Sequence, residues 1–84
     1  MPNAYVLFNV SSGSENQVLE NLRGIDEVQE AFFCYGVYDL VVKIEVDSME
    51  NLKKLVSQNL RIITDVKSTI TLIEVNEKKL VVNK

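Results

Sequence analysis

The stretch Cys34-Tyr35-Gly36-Val37-Tyr38-Asp39-Leu40-Val41-Val42-Lys43 decides the fold. A β-rich run ends at a glycine-centred reversal, and a second starts directly after an acidic residue. Gly36 can take φ > 0 at no steric cost, and the Asp39 carboxylate can close the turn by accepting from nearby backbone N–H groups. Tyr38 adds a ring with a polar tip that sits poorly in a dry core. The segment therefore reads as a hairpin joining a strand over Val28–Tyr35 to one over Leu40–Val46. Its turn presents a phenol, a carboxylate and free backbone groups at one edge, a combination suited to gripping a small zwitterion.

Outward from the hairpin, the pattern alternates. Upstream, Ala4–Val10 alternates as a strand, with Ala4, Val6, Phe8 and Val10 on one face and Tyr5, Leu7 and Asn9 on the other. After Ser11-Ser12-Gly13, Ser14 followed by Gln17 reads as a capping box for a helix that buries Val18, Leu19 and Leu22 and stops at Gly24. Downstream, Asp47 with Glu50, or alternatively Ser48, caps a second helix whose apolar stripe is Met49, Leu52, Leu55, Val56 and Leu60. Val66–Val75 is the last strand, with Ser68, Ile70 and Leu72 on one face and Thr69, Thr71 and Ile73 on the other. The order is β-α-β-β-α-β, in two halves that look alike. Right-handed crossovers around a central hairpin then leave an α+β, ferredoxin-like sandwich with a four-stranded antiparallel sheet.

At 84 residues the chain has room for one domain. A net charge of −3 gives no electrostatic footprint for nucleic acid or an anionic membrane. No apolar run reaches the ~20 residues of a bilayer span, and the N-terminus lacks the pattern of a signal peptide. A single cysteine, Cys34, fits a reducing, cytoplasmic setting and reads as a small buried apolar residue. The absence of histidine and of any CxxC leaves no metal centre, no cofactor and no histidine catalysis to expect.

Two helices cover one face of such a sheet, yet the strands are apolar on both. Tyr5, Leu7, Val41, Ile73 and Val75 are expected on the uncovered face, with one of Phe32 and Phe33. A patch of that kind is rarely left wet, so sheet-to-sheet dimerisation is expected. The domain is assigned to residues 1–75. Residues 76–84 form a charged tail around Leu80-Val81-Val82, read as either a short edge strand or a frayed end.

The turn Gly36-Val37-Tyr38-Asp39 running into Leu40-Val41-Val42-Lys43, then Ser48-Met49-Glu50-Asn51-Leu52, then Val66-Lys67-Ser68-Thr69-Ile70-Thr71-Leu72, closely resembles the Lrp/AsnC effector-binding domain, the RAM module of amino-acid metabolism regulators. The resemblance covers Ala4 to Val75. It implies sheet-to-sheet dimers of the dimeric α/β-barrel type, assembled into rings, with an amino acid or similar small effector bound between dimers. By position it implies ligand-binding roles for Gly36, Val37, Tyr38, Asp39, Ser68, Thr69 and Thr71. Backbone N–H groups near Gly36 would hold a carboxylate, Asp39 an ammonium, and the threonine hydroxyls either. The chain departs from the family pattern in two places. Its sheet begins at Ala4 without the usual helix-turn-helix, which implies a stand-alone form with no direct nucleic-acid contact. Tyr35 stands where a small hydroxyl residue is common.

The resulting expectation is a non-enzymatic sensing module that oligomerises and modulates transcription or metabolism through partners, including a full-length Lrp/AsnC-type regulator. The competing expectation is a structural oligomerisation module with no ligand of its own. Catalysis of the kinds found on this fold would require a histidine, or an arginine-bearing phosphate loop, and neither is in the sequence.

Overall fold

The computed structural model describes residues 3–75. Strand β1 (Asn3–Val10) leads into helix α1 (Glu15–Arg23), then strands β2 (Val28–Phe33) and β3 (Leu40–Glu45), helix α2 (Met49–Leu55) and strand β4 (Val66–Ile73). The sheet order is β2-β3-β1-β4 and every neighbouring pair is antiparallel. This is the expected ferredoxin-like sandwich. The expected tail strand at Leu80–Val82 lies outside the described residues.

Alternation along the strands sets the core. Ala4, Val6, Phe8 and Val10 of β1 and Leu40, Val42 and Ile44 of β3 are buried beneath Val18 and Leu22 of α1 and Leu52 and Leu55 of α2. No polar side chain is buried among the described residues, so desolvation opposes this core very little.

Element ends differ from the sequence reading in ways that local contacts explain. The strand expected to reach Tyr35 ends at Phe33, β3 ends at Glu45, and β4 ends at Ile73 rather than Val75. Ser14 precedes α1 but makes no side-chain capping bond, so the expected capping box with Gln17 is absent. At α2 the cap is Ser48, whose hydroxyl accepts from the Asn51 amide at 3.1 Å, while Asp47 takes the Asn51 side chain instead. Met49 lies off the buried stripe and is exposed. Past Leu55 the helix widens into a π-helical turn over Val56–Leu60, closed by Arg61 N–H donating to the Val56 carbonyl at 2.9 Å. The extra residue in that turn keeps Leu60 fully buried.

The largest correction concerns β4. Directly paired residues in an antiparallel ladder share a face. Thr69, Thr71 and Ile73 pair with Phe8, Val6 and Ala4 and so lie on the helix-covered side. Ile70 and Leu72 pair with Leu7 and Tyr5 on the open side, opposite to the expected placement of Ile73. β4 is β-branched or apolar on both faces, so alternation alone could not orient it. Phe32 and Phe33 resolve cleanly: Phe32 pairs with Val41 on the open face, Phe33 with Leu40 on the other.

Candidate functional site

Strand polarity gathers the site. β1 ends at the same edge of the sheet where α1 begins, where β2 turns into β3, where α2 and its π-helical turn finish, and where β4 starts. The hairpin loop is closed by Cys34 N–H donating to the Asp39 carbonyl at 3.0 Å. Gly36 has φ of 141°, a backbone conformation few other residues adopt. Tyr35 and Val37 flank it at the exposed tip. Asp39 fastens this loop to the end of β1: its carboxylate accepts from Val10 N–H at 3.0 Å, and its own N–H donates to the Phe8 carbonyl at 2.9 Å.

Beside the loop is a cleft of about 440 Å3 lined by Glu15, Asn16, Phe33, Cys34, Tyr35 and Asp39. Cys34 is half-buried rather than buried, and its thiol donates to the Tyr38 carbonyl at 3.3 Å. Two acidic and two aromatic residues therefore border one space, with no Lys or Arg among the described residues that line it.

A second cleft, of about 260 Å3, is lined by Arg61, Val66, Lys67, Ser68 and Thr69. Its shape comes from a β-bulge. Asn9 pairs with Ser68 and Val10 with Val66, so Lys67 is the extra residue on β4. Asp65, in the left-handed region at φ 74°, enters the strand and accepts from Ser11 N–H at 2.9 Å. Ser68 is held by Asn9, whose side-chain amide donates to its hydroxyl at 3.1 Å.

The residues expected from sequence are thus divided. Asp39 borders the acidic, aromatic cleft; Ser68 and Thr69 border the basic one; β1 lies between β3 and β4, so the two clefts are separate. Gly36 and Val37 form the loop tip, Tyr38 is half-buried behind it, and Thr71 lies under the helices in neither cleft. Glu15, Asn16, Phe33, Cys34 and Tyr35 line the first cleft and Arg61, Val66 and Lys67 the second, and none of them was among the expected ligand-binding residues. The element order did carry a signal for them, because it sends the start of α1 and the end of α2 to the edge that holds the turn.

The family model described as the Lrp/AsnC ligand binding domain matches residues 3–80. The chain belongs to the Lrp/AsnC ligand-binding domain family. A solved hypothetical protein from Pyrococcus horikoshii is 35% identical to this Lrp/AsnC domain, with a TM-score of 0.83 over 89% of this chain and 90% of that one. Escherichia coli AsnC shares the fold at 23% identity and a TM-score of 0.86, over 98% of this chain and 56% of that one. A transcriptional regulator from Neisseria meningitidis, solved as a complex with L-Met, does so at 16% identity and a TM-score of 0.84, over 94% of this chain and 53% of that one. No curated protein matches the sequence. This Lrp/AsnC domain therefore spans little more than half the length of those two larger chains.

Proposed function

We propose that this protein is a small-effector sensor: it binds an α-amino acid or related metabolite at the sheet edge bearing the Gly36–Asp39 turn, and relays occupancy to partner regulators through its assembly. The observation that carries this reading is the cleft of about 440 Å3 beside that turn, in a domain whose family is defined by ligand binding. Its volume is within the range usual for small-molecule sites. The L-Met complex of the meningococcal regulator supports an amino-acid effector. Asp39 would meet the ammonium, with Gly36, Val37 and Tyr38 supplying loop backbone; Ser68 and Thr69, in the other cleft, and Thr71, in neither, stay outside this contact set. We assign it no catalytic role, and a cytoplasmic setting agrees with its single cysteine.

The open sheet face supports homo-oligomerisation. Phe32, Ile70 and Leu72 are 49%, 44% and 51% exposed there, beside Tyr5, Leu7 and Val41. A second copy packed sheet to sheet would remove this surface from water. A ring of such dimers is the larger assembly that the family resemblance implies.

Asp39 favours a second reading. Because its carboxylate already serves Val10 N–H, the turn could exist for structure alone, in an oligomerisation module without a ligand. Native mass spectrometry with and without a pool of amino acids separates the two. A sensor gains the mass of a bound effector; an unchanged spectrum leaves the oligomerisation module in front.

A further inference from the structure

Resting on the effector-binding reading above, we infer that the effector carries a net positive charge: a basic amino acid or an amine, rather than a neutral or acidic one. The lining of the cleft beside the turn is the reason. Glu15 and Asp39 bring two carboxylates to it, and no cationic side chain lines it among the described residues. Among the described residues the ion pairs are Arg23–Glu20 and Lys54–Glu50, and neither engages a cleft carboxylate. Asp39 accepts from Val10 N–H through one oxygen, Oδ2. Glu15 makes no side-chain hydrogen bond among the described residues and stands in the first turn of α1, where negative charge is favoured.

The rest of the lining matches the same ligand. Phe33 and Tyr35 are large aromatic residues left 46% and 107% exposed, although apolar rings normally gain by burial. Aromatic faces next to carboxylates attract an ammonium or guanidinium group through the ring quadrupole as well as the ion pair. An effector bearing a second carboxylate would meet two like charges there, so selectivity would come from repulsion as well as attraction. Among the described residues, the basic side chains Arg61 and Lys67 at this edge line the other cleft.

Calorimetric titration of the full chain with L-arginine, L-lysine, L-leucine and L-glutamate tests this, with Glu15→Gln as the variant, because Asp39 also holds the loop. L-arginine or L-lysine should bind at least about tenfold more tightly than L-leucine, and L-glutamate should bind most weakly. Glu15→Gln should weaken the basic amino acid by about tenfold, as expected for one lost charge-assisted contact. Glu50→Gln, on the exposed face of α2, should bind as the wild type does. Circular dichroism should show Glu15→Gln folded, with a melting temperature lowered by no more than a few degrees, as loss of a favourable charge at the start of α1 implies. Tighter binding of L-leucine or L-glutamate, or an unchanged affinity in Glu15→Gln, would overturn the charge preference and leave the sensor reading standing. Absence of binding by all four, and by a pool of amines, would overturn both.

Discussion

The Asp39 carboxylate accepts the Val10 amide hydrogen at 3.0 Å, and the Asp39 amide donates to the neighbouring Phe8 carbonyl at 2.9 Å. One turn residue thereby ties the hairpin tip to the last residues of β1, beside the bulge where β4 changes register. The same contacts settle the shape of the cleft, since Asp39 and Phe33 line it and the loop between them is held at both ends. Any ligand role of Asp39 is therefore superimposed on a structural one.

Asp39→Ala leaves the Val10 N–H without its partner in a part-buried position, so it should cost about 1–3 kcal/mol of folding stability. Asp39→Asn keeps an acceptor oxygen and should cost less than about 1 kcal/mol. Urea titration reads both. Equal stability of Asp39→Ala and wild type would show that the Val10 bond contributes nothing.

Two glycines should respond in opposite directions. A Cβ on either Gly36 or Gly24 would meet no atom within 4 Å, so backbone conformation alone decides the outcome. Gly36 has φ of 141°, and Gly36→Ala should lose roughly 1–3 kcal/mol through strain. Gly24, at φ −85°, tolerates a side chain, and Gly24→Ala should gain about 0.4–1 kcal/mol by restricting the unfolded chain. Thermal melts of the pair check the contrast.

Val41 sits at the middle of the open face, opposite Leu7 on one side and Phe32 on the other. Val41→Lys would bury an unpaired charge between two sheets, a cost of several kcal/mol that assembly could not absorb. Sedimentation velocity at micromolar concentration should show a dimer or larger species for wild type and a monomer for the variant. A monomeric wild type, or an assembled Val41→Lys, would mean that the face is not an interface.

The helix caps offer a local test. Ser48→Ala removes the hydroxyl that accepts from Asn51 N–H and should destabilise by about 1 kcal/mol. Ser14 makes no such bond, so Ser14→Ala should stay within roughly 0.5 kcal/mol of wild type. A cost at Ser14 equal to that at Ser48 would contradict the capping assignment.

Residue order alone determined the architecture. Period-two alternation in β1 placed Ala4, Val6, Phe8 and Val10 in the core, and the Gly36–Asp39 segment marked the hairpin that makes β-α-β-β-α-β a closed sandwich. Both signals are local, carried by side-chain polarity and backbone preference within a few residues, and so they survive in the bare sequence. Only the tertiary structure decided which way β4 faces, because a strand apolar on both sides takes its orientation from its partner and from the bulge at Lys67. It also decided the clefts. Glu15 and Asp39 come to line one cleft, and Arg61 and Ser68 another, through chain reversals that bring distant segments to one edge of the sheet, where no short-range pattern records their proximity.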